Sequence, residues 1–455
     1  MRRKASRSRA QTSSDRSGSA VRVLTVGNAA TMAPVTLERV LAPLAAALPE
    51  LEALYIDFHR HPELSFAEHR TAAELARRLA DDGYEVHTGI AGTGVAGVLR
   101  NGEGPTVLLR ADIDALPVEE KTGLSYASTA RGTDEHGNDV PVMHACGHDM
   151  HATWLSGAAA LLAKGRDTWS GTLLVVFQPG EESAGGASAM VRDGLFDIAG
   201  KPDVVYGQHL VPGPAGWVLT RPGVIMAATD TLRVTLHGRG GHGSRPETTV
   251  DPAVLAASVV LKLQTIVSRE IAATESAVVT VGSLHVGTAA NVIADDAVLE
   301  VNIRSFDQAV RERVLAAVER IVHGEAATAG APAPPHIERS GAYPITENDE
   351  AASNALTELF RARFGADTVL PAPLVTGSED FSEFGRAAGV PSVFWLVGGY
   401  DPQTVITAMT EGRFERDIPS NHSPRFAPVL HPTLRTGIET LVVAALGELA
   451  HPGVG

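Results

Sequence analysis

Residues 171–182 read GTLLVVFQPGEE, and the reading of that stretch decides the fold. Leu173 through Phe177 are all apolar, so neither face suits solvent, and the segment is a strand covered on both sides. It ends in a Pro–Gly turn that delivers two adjacent acids, Glu181 and Glu182. The same design recurs in PTVLLRADIDALP (105–117), closing on Asp112 and Asp114, in DVVYGQHL (203–210), closing on His209, and in PSVFWLVGG (391–399). Helical stretches lie between them, at 36–60, 67–81, 151–165, 350–364 and about 433–450. AEHRTAAELARRLAD (67–81), for example, sets Ala and Leu at helical spacing opposite Arg and Glu and is stopped by Gly83. Buried strands alternating with helices predict an α/β fold whose mostly parallel sheet is flanked by helices.

The pattern changes near residue 228. TDTLRVTLHGRGGHGSRP, AVVTVGSLHVG and DAVLEVNIRSFD alternate apolar with polar residues, and two helices run at 251–270 and 308–327. Half-buried strands with helices on one side predict a small α+β sandwich with an open sheet face. APAPPH (331–336) marks the way out, after which the α/β pattern returns. The small unit is therefore read as an insertion: an extension over 1–34, catalytic domain over 35–226, inserted domain over 227–338, and catalytic domain again over 339–455.

Composition narrows the function classes. The chain has 455 residues, 44% hydrophobic and 20% charged, enough for a sizeable core. Net charge is −15, although residues 1–31 hold seven basic residues and one acid. An acidic body argues against a nucleic-acid or anionic-membrane partner, and no uninterrupted apolar run approaches the ~20 residues of a membrane span. The Arg- and Ser-rich start reads as a disordered extension and as a poor secretory signal, with Met32 an alternative start. A single cysteine, Cys146, excludes an internal disulfide and fits a reducing compartment, so the expected location is cytoplasmic.

The chemistry concentrates in MHACGHDMH (143–151). Cys146 and His148, two residues apart, reach one ion from an extended backbone, a better account of this Cys/His/Asp cluster than a buried thiol and satisfied histidines. In Glu181–Glu182, neighbouring side chains point opposite ways, so one binds metal while the other takes a proton from metal-activated water. His209 at a strand end and His422 in PSNHSPRF complete a plausible ligand set. Asp112 is read as orienting a histidine ligand, and His242 sits in a Gly-rich turn of the inserted domain, where backbone comes close to a ligand.

From Leu51 to Ala445 the chain resembles the co-catalytic metallopeptidases of the aminoacylase/carboxypeptidase group, in their amidohydrolase branch of hippurate hydrolases, N-acyl-amino-acid amidohydrolases and auxin-conjugate hydrolases. The ordered motifs are HRHPELSFAEHRTA, RADIDALPVEEKTGLSYAS, HACGHDMHATWLSGAA, FQPGEES, GQHL, GRGGHGSRPE, NVIADDAVLEVNIRSFD, TGSEDFSEF and NHSPRF. The resemblance implies two divalent ions, Zn or Mn with Co and Ni as competitors, held by Cys146, His148, Glu182, His209 and His422. It implies Glu181 as general base and the insertion as a lid through which a homodimer forms. It also implies that His242 polarises the scissile carbonyl in a neighbouring site, and that Asn291 and Arg304 touch the substrate carboxylate. Where peptidases of the superfamily have His–x–Asp on the first strand, this chain has Arg110–Ala111–Asp112. That departure favours hydrolysis of N-acyl amino acids over a di-metal dipeptidase or carboxypeptidase acting on unblocked peptides. A thiol nucleophile at Cys146 and a non-catalytic binding protein are the remaining alternatives.

Overall fold

The computed structural model describes residues 34–183 and 185–450. The extension expected over 1–34 lies, but for Pro34, outside them. The large sheet has eight strands: β1 (Glu85–Ile90), β2 (Gly94–Asn101), β3 (Thr106–Asp112), β4 (Gly171–Gln178), β5 (Val204–Pro214) and β6 (Val218–Thr220) come before the insertion. The insertion supplies β7 (Ala228–His237), β8 (Ala277–Val286), β9 (Asp296–Ser305) and β10 (His336–Tyr343) to a second sheet. β11 (Val369–Pro371) and β12 (Ser392–Tyr400) then return to the first.

The strand order of the large sheet is β1-β2-β4-β3-β5-β12-β6-β11. Its centre, β4-β3-β5-β12, is parallel throughout. The β1/β2 hairpin, the β2/β4 pair and the β12/β6 pair are antiparallel, and the β6/β11 edge is parallel again, so the sheet is mostly parallel, as expected, with antiparallel pairs flanking its middle. The hairpin EVHTGIAGTGVAGVLR escapes a periodicity reading because glycines interrupt it and β1 is mostly solvent-facing.

Period-two alternation explains why β4 is apolar on both sides. Leu173, Val175 and Phe177 pack with Trp154, Leu155 and Leu441 from the helices His148–Lys164 and Thr433–Leu449. Leu174 and Val176 pack instead with Ala187, Met190, Phe381 and Phe384 on the opposite face. Each such side chain contributes on the order of 1.5–3 kcal/mol by leaving water, so a charge at Val175 would break the layer.

The second sheet runs β8-β9-β7-β10, entirely antiparallel. The helices Pro252–Thr265 and Gln308–Thr328 cover one face. β10 crosses residue 338, placed as the exit of the insertion, and continues to Tyr343, because its residues pair with β7 up to Tyr343–Thr229. Among the described residues, the helical stretch Pro252–Glu270 is long and apolar enough by composition to cross a membrane, although Lys262 interrupts its apolar run, as expected from the sequence. Its Leu255, Val259, Leu263 and Ile266 form one stripe buried against the small sheet.

Candidate metal centre

The carboxyl ends of the parallel strands open on one crevice. From β3 the chain goes to β4 on one side and then to β5 on the other, and such a reversal leaves a cleft where loops diverge. Asp112 ends β3, the PGEE turn follows β4, and His209 lies within β5. Cys146 and His148 arrive from the loop that starts the helix His148–Lys164. Between them Gly147 has φ 89°, and a Cβ there would stand 2.7 Å from Leu210, so only glycine turns the chain this sharply. His422 also has a positive φ, 69°, and is fixed by its N–H donating to the Ala145 carbonyl at 2.8 Å. The preceding Asn421 donates its amide to the carbonyls of Cys146 and Leu210, both at 3.1 Å.

All five expected ligands converge. Donor atoms of Cys146, His148 and His209 lie within 4.8 Å of one another, as do those of Cys146, Glu182 and His422. Cys146 belongs to both groups. Its Sγ is 3.4 Å from His209 Nε2, and His422 Nε2 is 3.2 Å from Glu182 Oε1. His148 Nε2 and Glu182 Oε1 are buried and have no hydrogen-bond partner. Buried polar atoms left unpaired are costly, and these face a common centre rather than each other. A thiol, three imidazoles and a carboxylate are a donor set for transition-metal cations, so the residues present fit the two ions that the resemblance implies.

The charges agree. Burial pushes the Cys146 thiol well above its ordinary range, and Glu182, Glu181 and Asp112 push it further. Burial, followed by His151, lowers His209 well below its usual value, so the imidazole 3.4 Å from the sulfur is neutral. That pattern opposes a thiol nucleophile, whereas a cation would draw the proton off the sulfur. Burial opposes charge on His148, but Asp112, the bonded Asp114 and Glu182 outweigh it and raise the ring to about 10: the surrounding carboxylates call for positive charge. Glu181 is buried, and burial followed by Glu379, Glu182, Asp380 and Asp112 raises its carboxyl well above the ordinary value.

Asp112 and Asp114 take different parts. Asp114 hydrogen-bonds the ring of a ligand candidate directly, its Oδ1 3.3 Å from His148 Nδ1, and also accepts the backbone N–H groups of Glu181 (3.1 Å) and Glu182 (3.0 Å), whereas Asp112 Oδ2 stands 3.7 Å from His148 Nε2. Asp112 instead binds His151 Nδ1 at 2.5 Å and Arg110 at 2.7 Å, because the side chain of Asp112 lies between that arginine and the helix carrying His151. His151 Nε2 accepts the Leu210 N–H at 2.8 Å, and Leu210 O accepts from His209 Nδ1 at 2.7 Å. Asp112 therefore steadies His209 at one remove, leaving Nε2 of His209 turned toward the thiol.

The candidate residues of the inserted domain stand apart from the cluster. His242 is exposed, its Nδ1 accepting from Ser244. Asn291 is exposed beside it, its carbonyl accepting the Gly243 N–H at 2.9 Å. Among the described residues, neither hydrogen-bonds to the five ligand candidates. Arg304 reaches the catalytic domain, donating to Thr376 O at 2.6 Å. Arg110, which the sequence marks only as a departure from the superfamily pattern, is fully buried with Asp112, Glu379 (2.8 Å) and Asp380 (3.1 Å) around it. TGSEDF was noted as a motif without a role, and a charged residue inside an apolar strand was the available signal for its partner.

The model of the peptidase family M20/M25/M40 matches residues 108–415. The chain is 38% identical over 339 residues to hippurate hydrolase of Campylobacter jejuni, covering 74% of this chain and 85% of that one. It is 37% identical over 345 residues to thermostable carboxypeptidase 2 of Saccharolobus solfataricus, covering 75% and 83%. The solved structure of the Bacillus subtilis YXEP protein, described as a dinuclear metal-binding peptidase, superposes with a TM-score of 0.70 at 28% identity, covering 88% and 98%.

Proposed function

The chain belongs to peptidase family M20/M25/M40 and is a hydrolase, and from that premise we propose that it cleaves the amide bond of N-acyl amino acids. The products are a carboxylic acid and a free amino acid. The observation that carries the reading is the pairing of a five-donor cluster with a further acid, Glu181, buried and with its carboxylate within 4.8 Å of the His148 and Glu182 donors. Cys146, His148, Glu182, His209 and His422 would hold two divalent cations, Cys146 contributing to both groups of donors. Thiolate, imidazole and carboxylate together suit Zn, with Mn, Co and Ni as competitors.

When bound, such cations acidify water and polarise a carbonyl. Glu181 takes the proton of the attacking water and returns it to the leaving amine, a task for which its raised carboxyl value is apt. His242, brought by the lid of a second copy, donates to the developing oxyanion. Asn291 and Arg304 meet the substrate carboxylate. The homodimer would form through the lid, whose helix leaves Val254 and Leu261 exposed, 68% and 72%. A ligand cysteine that must stay reduced fits a cytoplasmic location.

The test is a panel of hippurate and N-acetyl amino acids against unblocked dipeptides, with metal content measured on the same samples. Faster turnover of the acylated amino acids is expected. The carboxypeptidase relative makes the dipeptides the informative control, and preference for them would overturn the reading.

A further inference from the structure

The peptide unit of Glu181 is held from two directions. Its N–H donates to Asp114 Oδ1 at 3.1 Å, within the catalytic domain. Its carbonyl accepts from the phenol of Tyr343 at 2.8 Å, and Tyr343 is the last residue of β10, the strand by which the chain leaves the inserted sheet. Three further contacts join the insertion and its root to the segment around TGSED. The Ala227 N–H meets the carbonyls of Val375 and Gly377 at 3.1 Å, Arg304 donates to Thr376 O, and Thr229 Oγ1 pairs with Ser378 Oγ at 2.5 Å. That segment continues into Glu379 and Asp380, which have carboxylate oxygens within 4.8 Å of Glu181's.

We infer that Tyr343 is a positioning residue that registers the general base against the lid. A peptide pinned at N–H by one domain and at C=O by the other has its side-chain direction set by the relative placement of the two. A hydroxyl on the final residue of the lid sheet is well placed for this, because movement of the sheet about its root displaces that residue least while still reporting its angle. Loss of the phenol leaves the PGEE turn held by Asp114 and by Glu68, which accepts the Gly180 N–H at 2.9 Å. The turn then keeps its place on the catalytic domain and loses its coupling to the lid.

The inference rests on Glu181 being the base, and the test separates the two claims. In metal-loaded full-length protein, Tyr343→Phe should speed amide hydrogen exchange in residues 179–183 by roughly 3–10-fold, the effect of one lost hydrogen bond. Turnover of hippurate should fall by a similar factor with KM within about two-fold and metal content unchanged. Ser340→Ala, an exposed position on the same strand, should alter neither. Unchanged exchange over 179–183, or acceleration confined to 228–237 and 336–343, overturns the inference, as does a turnover equal to that of the unaltered protein. Should Glu181→Gln keep full activity, the base assignment falls while the exchange result still judges the clamp.

Discussion

Nε2 of His148 and Oε1 of Glu182 stand 3.9 Å apart, both buried and neither hydrogen-bonded. A folded chain tolerates such a pair when a third body completes it. Stripping divalent ions with a chelator should therefore abolish hydrolysis and lower the melting temperature, and Zn or Mn should restore both. Cys146→Ser should lose roughly 100-fold or more in turnover, because the softest donor shared by both groups is gone. Activity indifferent to chelation would refute the metal centre.

Glu181→Gln keeps the shape of the base and removes its proton acceptor. Turnover should fall roughly 100- to 10,000-fold with metal stoichiometry intact. His242 is exposed and outside the cluster of its own chain, so mixing His242→Ala and Glu181→Gln subunits should rebuild one working site per mixed dimer. Silence in the mixture would show that His242 does not act across subunits.

Asp114 and Asp112 lie two residues apart and separate cleanly in their consequences. Asp114→Asn disturbs His148 and the turn bearing Glu181 and Glu182, so metal affinity should drop roughly 10- to 100-fold in a competition titration. Asp112→Asn leaves Arg110 and His151 short of a buried partner and should cost about 3–5 kcal/mol of stability, read from denaturant unfolding. The opposite ranking of affinity and stability would reverse the two roles.

Away from the centre, His59 binds Asp149 at 2.7 Å and Glu120 at 3.1 Å in the core. Burial disfavours its charge, but the two carboxylates prevail and raise it from 6.5 to about 9. The folded state holds the proton more tightly, so this stabilisation is complete below pH 6.5 and fades as pH rises through about 9. Its ceiling is about 3 kcal/mol. The melting temperature should fall over that window, with a shallower slope in His59→Gln; equal slopes would exclude His59 as the source.

The order of elements was legible because apolar runs such as LLVVF can only be strands with both faces covered, and the helix termini carry their own punctuation. The candidate donors were legible in part for a related reason: Cys146–x–His148 and Glu182 sit at abrupt ends of apolar segments, whereas His209 and His422 are weak signals singly and join the set through the family resemblance. The β1/β2 hairpin was not, since its glycines and its exposed strand leave no period to read.

By itself the sequence determined what each segment becomes and which side chains are available, because burial and backbone preference act over a few neighbouring residues. Tertiary structure alone decided the pairings: that Asp114 rather than Asp112 hydrogen-bonds His148, that Arg110 donates to Glu379 from 269 residues away, and that a tyrosine at the end of the inserted sheet holds the peptide of Glu181. Hydrogen bonds and charge contacts depend on distances of a few ångströms, and only packing of strand on strand and helix on sheet sets those distances between groups so far apart along the chain.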